Sequence, residues 1–489
     1  MKNTGIRSIR HGATLALGLL LLPSLSFAEV KVPSIIGDGM VLQRELPVPV
    51  WGNANPGENV TVSFDGQSVS TKADTSGQWM VKLAPLQASK TGREMTIKGS
   101  NTLTFKDVLV GEVWLCSGQS NMADSFNKAK GRQIDPADLQ AVASGVRLYV
   151  PEFKNPVNGN WCGLNEQSQN QLTRVGGYFG IRLYKELGIP IGLIEAYFSA
   201  TPIQAWMPKE AAERIRTKLE IPPDWNEPAP ISQPGFQFDQ HIAPILPVAI
   251  RGVVWYQGER NAKTYTGWEY RELLPYLIDT WRHLWAERAG LEVRKFPFYF
   301  VQPPAQEAKS DDEEWPWLRD SMRRALDATE NTGMAVFYDY GPSLHPEDKQ
   351  PAGERLALWA LAKDYGKTGL VCSGPLLDKV TIQGDKAILS FKDVGGGLKN
   401  KSGGASLKFF EIAGKDGNYV PAEASIEADK VVVRAKEVPA PVSVRYLFRK
   451  QPPDAEVSLI NAEGLPASSF ITDDFKPPRT SKHAPTADK

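Results

Sequence analysis

Val108-Leu109-Val110-Gly111-Glu112-Val113-Trp114-Leu115-Cys116-Ser117-Gly118-Gln119-Ser120-Asn121-Met122 is the stretch on which the fold turns. It runs almost continuously apolar as far as Cys116, as a strand buried on both faces must, and a glycine-bearing turn follows at once. Such a strand-to-helix turn lifts Ser120 to the rim of a sheet and points helix N–H groups at its hydroxyl, which is what a nucleophile needs. The same serine would also serve as a plain helix cap.

Working outward, short apolar runs alternate with helical patterns. Phe179, Leu183 and Leu187 stand at i+4 steps, Gly188 stops that helix, and Ile191 to Ile194 follow as a strand. Val253 to Tyr256 precede a helical pattern of Leu273, Leu277, Trp281 and Leu284. Phe298 to Val301 and Met334 to Tyr338 read as further strands, and a last helix spans Pro351 to about Lys363, with proline suited to its first turn. Strands alternating with helices predict an α/β domain over 107–365, with a parallel sheet covered on both faces.

The flanks differ. Over 29–106 the apolar residues alternate with period two, as in Val60, Val62, Phe64 and then Trp79, Val81, Leu83, and turn residues interrupt at short intervals. The same pattern returns over 366–478, in Ile388 to Phe391, Val431 to Val433, and Val442, Val444, Tyr446 and Phe448. Both flanks are expected to be β-sandwich-like modules, followed by a disordered tail over 479–489. A chain of 489 residues is too long for one core, so several units are expected in any case.

Residues 1–28 carry Lys2, Arg7 and Arg10, an apolar run from Ala13 to Leu22, and Ser26-Phe27-Ala28, the pattern of a secretory signal with its cleavage site. The run is short for a bilayer span, which needs ~18 to 20 apolar residues. An exported protein, periplasmic or extracellular and without a membrane span, is the expectation. The chain has 56 basic and 56 acidic residues, and loss of the leader leaves a slight acidic excess, so no basic footprint for nucleic acid exists. Cys116, Cys162 and Cys372 are too few for a disulfide scaffold and lack zinc-site spacing; one disulfide or none remains open. No metal site and no cofactor are expected.

In a parallel sheet, ligands bind beyond the carboxyl ends of the strands, so the residues after each strand are the candidates. Besides Ser120, these are Phe198-Ser199-Ala200-Thr201 with backbone donors, Gln257-Gly258-Glu259-Arg260-Asn261, and Asp339-Tyr340-Gly341-Pro342-Ser343-Leu344-His345. The second is polar directly after a buried strand. Leaving such groups unpaired would cost roughly 1 to 3 kcal/mol each, so they line a site or bond to neighbours. His345 is the histidine placed at a strand's end. His283 lies within an amphipathic helix, and His241 precedes a strand and reads as structural.

Taken together, these blocks resemble the sialate O-acetylesterases, over nearly the whole mature chain. Gly111 to Met122 is similar to the family's nucleophile block, Trp255-Tyr256-Gln257-Gly258-Glu259 to its central block, His345-Pro346-Glu347-Asp348-Lys349 to its histidine block, and Gly464-Leu465-Pro466-Ala467 to its closing segment. The resemblance implies an SGNH-hydrolase-like three-layer α/β/α domain and hydrolysis of acetyl esters on a carbohydrate. It implies Ser120 as nucleophile, His345 as base, and Gln257 with backbone N–H groups of Ser120 and Ser199 as oxyanion donors. Asn121, Arg260 and Asn261 are the expected substrate contacts, Arg260 through a carboxylate or sulfate.

Three departures from the family pattern stand out. Ser343 replaces the aspartate usual two residues before the histidine, leaving Asp339 and Glu259 as the nearest substitutes by sequence. Phe198-Ser199-Ala200 replaces a tryptophan and two glycines, which restricts the oxyanion loop. Arg260 replaces a small residue. Two other functions stay open: a non-catalytic relative that binds glycans, and a glycosidase using Glu259 and Asp339.

Overall fold

A computed structural model of the chain describes residues 1, 29–152, 155–222, 229–264, 266–304, 314–340, 343–449 and 457–474. The expected leader and the expected tail fall outside the described residues.

At its centre is a sheet in the order Thr332–Val336, Phe298–Gln302, Gly252–Tyr256, Thr102–Gly118, Ile191–Tyr197, Val146–Glu152, Asn155–Gly163. All neighbours pair in parallel except the last two strands, which form an antiparallel edge. Period-two geometry sends alternate residues to opposite faces, and here both faces are covered. Val113, Leu115, Val253 and Trp255 pack on one side with Leu277 and Trp281 of the helix Tyr270–Ala289. Trp114, Cys116, Val254 and Tyr256 pack on the other with Phe179 of Arg174–Leu187 and Leu356 of Gln350–Lys363. The mostly parallel α/β/α core expected from alternating elements is therefore present. Gly188 closes its helix with a left-handed φ of 66°, as a C-terminal glycine should.

The N-terminal strands alternate as expected, with Val60, Val62 and Phe64 buried in Asn59–Phe64 and Trp79, Val81 and Leu83 buried in Gln78–Leu83. The change of character near Asp107 falls inside one continuous strand, Thr102–Gly118. Its first part pairs with Ser89–Lys98 and its last part with Ile191–Tyr197 and Gly252–Tyr256, so one strand joins the N-terminal β layer to the central sheet. The C-terminal segment forms two antiparallel four-stranded sheets, one containing Lys386–Lys392 and Lys430–Arg434, the other Phe410–Ala413 and Ser443–Tyr446. The three cysteines are unpaired. No helix among the described residues is long and apolar enough to cross a membrane.

Candidate active site

The strand Thr102–Gly118 ends in a glycine at φ 143°, and a Cβ there would stand 2.2 Å from the Tyr256 carbonyl oxygen. That close approach lets the Gln119 N–H donate to Tyr256 O at 2.9 Å and starts the one-turn helix Ser120–Ala123. Ser120 emerges half-buried at the rim. The Phe198 N–H donates to Gly118 O at 3.0 Å, bringing the Ser199 loop alongside the same turn.

On the other side, the strand expected over Met334 to Tyr338 ends at Val336, because the Phe337 N–H donates to Gln302 O and the chain then enters a 3-10 turn over Tyr338–Tyr340. His345 follows on an exposed loop. Its Nε2 lies 2.9 Å from Ser120 Oγ, across 225 residues of sequence. Serine and histidine are thus within hydrogen-bonding reach, and Ser343 Oγ accepts from the His345 backbone N–H at 3.3 Å.

Asn121 holds these two segments together. It is fully buried; its Nδ2 donates to Leu344 O at 2.9 Å and to Glu259 Oε1 at 2.5 Å, and its Oδ1 accepts from Lys349 Nζ. Both amide hydrogens are therefore used inside the protein, and the substrate contact expected of Asn121 is replaced by a bracket between the serine helix and the histidine loop. Glu259 and Lys349 are buried at its two ends. Desolvation raises the Glu259 carboxyl above its ordinary range, against the Asn121 hydrogen bond and the Lys349 charge. Desolvation likewise lowers the Lys349 ammonium to about 8, against the charges of Asp124 and Glu259. The His345 ring is held below its ordinary value, first by partial enclosure and then by the Lys349 charge, with Asp124 opposing.

Neither expected substitute acid reaches the histidine. Asp339 lies in the fork of Arg355, with two N···O distances of 2.7 Å, because Arg355 also donates to Val336 O and so clamps the start of the histidine loop. Glu259 bonds to Asn121. Among the described residues no carboxylate bonds to the His345 ring.

The central block also differs from expectation. Gln257 is fully buried, its Nε2 lying 2.8 Å from Asn261 Oδ1, 3.0 Å from Thr201 O and 3.2 Å from Gln119 Oε1, while its Oε1 accepts from the Tyr270 hydroxyl at 2.8 Å. Its donors are taken by protein acceptors, so the side chain is not open to an oxyanion. Asn261 is fully buried too, accepting from the Ile203 N–H at 2.9 Å and donating to Thr266 Oγ1 at 2.9 Å. Both amides fasten the segment after Thr201, which itself donates to Phe198 O at 2.8 Å. Ser199 is exposed, and Ala200 takes the left-handed φ of 60° that a glycine would adopt without strain. Arg260 is half-buried at the edge, and burial lowers its guanidinium.

Two charged residues beside the site were not singled out from the sequence. Asp124 binds Arg132 at 3.1 Å and Arg174 at 3.2 Å, and Arg174 in turn donates to Glu347 O behind the histidine. Asp124 and Lys349 each stand four residues beyond Ser120 and His345, the one spacing signal that pointed to them. His241 stacks on Trp206 with ring centroids 5.7 Å apart, and burial lowers its pKa to about 4. His283 is exposed, its Nδ1 2.8 Å from Asp279 O. Among the described residues no cluster of three His, Cys, Asp or Glu side chains is arranged to hold a metal.

Residues 110–330 match the family model described as carbohydrate esterase, sialic acid-specific acetylesterase. The chain is 30% identical to the sialate O-acetylesterase of Homo sapiens over 425 residues, covering 77% of this chain and 80% of that protein. It is 32% identical to the sialate O-acetylesterase of Rattus norvegicus over 430 residues, covering 74% and 78%. Among solved structures, a carbohydrate acetylesterase from Xanthomonas citri superposes with a TM-score of 0.80 at 34% identity, covering 91% of this chain and all of that one.

Proposed function

Since the chain belongs to the sialate O-acetylesterase family of carbohydrate esterases, we propose that it hydrolyses acetyl esters on a sugar through an acetyl-enzyme on Ser120, with His345 as the base. The observation that carries this reading is the 2.9 Å separation of Ser120 Oγ and His345 Nε2. With Nε2 unprotonated, Ser120 donates its hydrogen bond to the ring. As Oγ attacks the acetyl carbon the proton passes to Nε2, the carbonyl becomes an oxyanion, and the sugar oxygen departs with that proton. Water, deprotonated by the same nitrogen, then releases acetate. The oxyanion is met by the Ser120 N–H, in the first turn of its helix and so without an intrahelical acceptor, and by the Ser199 N–H.

Among the described residues no carboxylate orients the histidine. Loss of that acid from a triad costs about 10⁴ in rate, yet the other members still act together. Two features offset part of the loss. The Leu344 carbonyl, gripped by Asn121, fixes the loop. Partial enclosure and the Lys349 charge keep the ring neutral at ordinary pH, the form a base requires. Arg260 at the edge is the residue we assign to a substrate carboxylate, as a sialic acid would present. The leader over 1–28 would export the enzyme to the periplasm or beyond.

A non-catalytic glycan binder is the second reading, favoured by the lack, among the described residues, of a carboxylate bonded to His345. Acetate release from 4-nitrophenyl acetate and from O-acetylated sialic acid separates the two. The esterase reading expects turnover that falls by at least roughly 10²-fold in Ser120→Ala with the melting temperature unchanged, because a triad acts as a unit and part of its joint effect is already gone. Equal rates for wild type and Ser120→Ala would leave only the binder.

A further inference from the structure

A cleft of about 400 Å³ lies far from Ser120, between the two-stranded antiparallel sheet of Val48–Asn53 with Gln78–Leu83 and the end of the helix Tyr270–Ala289. Leu246 and Pro247, which line it, precede the amino end of the strand Gly252–Tyr256, whereas the candidate active site follows that strand's carboxyl end. Five residues of strand at ~3.3 Å each separate the two ends by roughly 16 Å, more than one sugar unit bridges.

The lining combines two kinds of surface. Trp51 gives half-buried aromatic area, Trp79 showing only 4% of its surface, and Asn53, Asp74, Gln78 and Arg288 add polar ends. Several of these ends are uncommitted. Asp74 uses Oδ1 for the Ser76 and Gln78 turn and leaves Oδ2 open, and the side chains of Asn53, Gln78 and Arg288 make no hydrogen bond or ion pair among the described residues. A purely apolar ligand would leave every one of these groups unanswered, and a highly charged one would meet Asp74 and Arg288 with opposite effect. Planar amide, carboxylate and guanidinium groups beside the Trp51 ring suit a neutral, hydroxyl-rich ring with one apolar face.

We propose that this cleft is a second carbohydrate-binding site, taking neutral sugar units of a polymer and retaining the polymer on the enzyme while its acetyl groups visit Ser120. The proposal deepens the carbohydrate-ester reading and rests on it for the role of the site. Its binding test is independent of turnover.

Ser120→Ala protein, which leaves esters intact, is applied to a printed array of acetylated and deacetylated plant and bacterial polysaccharides. The same protein carrying Trp51→Ala, and separately Gln78→Ala with Arg288→Ala, is compared on it; the second pair alters only exposed side chains and guards against a folding defect in the first. At least one polysaccharide should be retained, and both cleft variants should weaken that retention by about tenfold, the usual consequence of truncating an aromatic or arginine anchor. With Ser120 intact, the cleft variants should hydrolyse 4-nitrophenyl acetate at the wild-type rate and show a raised KM, with kcat kept, on the retained acetylated polymer. No retention of any polysaccharide, or retention indifferent to both variants, overturns the proposal. Cleft-dependent retention without any esterase turnover would uphold the site while removing the esterase reading.

Discussion

The Ser120–His345 rim and the Gln257–Asn261 floor behind it are both polar and both follow buried strands, but they differ in how many hydrogen-bonding atoms stay open. At the rim, the two reacting groups touch mainly each other. In the floor, two amides are enclosed by acceptors and donors from Thr201, Ile203, Thr266, Gln119 and Tyr270. A buried amide with all its partners rigidifies the loops it joins, while one left open can move with a reaction. The difference implies a division of labour: the floor sets the shape of the Phe198–Thr201 loop, and the rim carries the proton.

The most damaging way to break that division is Gln257→Leu. It removes the donor for Thr201 O, left buried at a cost of roughly 1 to 3 kcal/mol, and strips one partner each from Asn261 Oδ1, which keeps the Ile203 N–H, and from the Tyr270 hydroxyl, which keeps Gln257 O. We expect a clear fall in melting temperature together with a fall in kcat. Differential scanning calorimetry beside 4-nitrophenyl acetate kinetics reads both. A kcat loss of about 10²- to 10³-fold at unchanged melting temperature would instead mark Gln257 as an oxyanion donor.

Lys349→Met tests how the rim is tuned. Partial enclosure, and after it the Lys349 charge, holds the His345 ring below its ordinary pKa. The active base is neutral, so activity is present above that pKa and disappears as pH falls through it. Without the lysine charge the ring's pKa rises, and the acid limb of kcat/KM should move to higher pH. A wild-type feature near pH 8, where Lys349 loses its proton, should vanish as well. A merely structural lysine would lower the rate equally at every pH and leave the limb where it was.

Asp339→Asn should do far less. Its carboxylate answers Arg355, not His345, so we expect under about tenfold loss of kcat and a modest loss of stability from a weakened, partly buried bidentate pair. A loss near 10⁴ would restore Asp339 to the triad.

Much of this architecture was legible beforehand, because continuous apolar runs followed by Gly188-type stops have few other physical readings. The placing of Ser120 and His345 at one rim was legible for a related reason: beyond the carboxyl end of a covered strand, a small or titratable residue on a tight turn has little to do except face solvent or a ligand. Gln257 and Asn261 were not. A polar cluster after a strand satisfies the same sequence pattern whether its amides face a ligand or one another, and only the approach of Thr201 and Ile203, more than fifty residues away, decides it. Asp124 and Lys349 were hidden by composition, since a charged residue in a polar segment reads as surface until its burial is known. The strand Thr102–Gly118 shows the same limit at larger scale: the pattern changes at Asp107, while the backbone continues through it.

The smallest effect comes from Ala200→Gly, and it sharpens the comparison most. Ala200 sits at φ 60°, where a Cβ costs roughly 1 kcal/mol that glycine avoids. The substitution should therefore stabilise the protein slightly, by about 2–4 °C in melting temperature at most. If the floor shapes the loop, through Thr201 O bound by Gln257 and Thr201 Oγ1 bound to Phe198 O, kcat should stay within about twofold, because a change worth under half a kcal/mol at the reacting atoms is all the added freedom allows. If the alanine itself pins Ser199, kcat should fall while stability rises. That opposite movement of the two readouts would shift the control of the rim from the buried amides to a single strained residue.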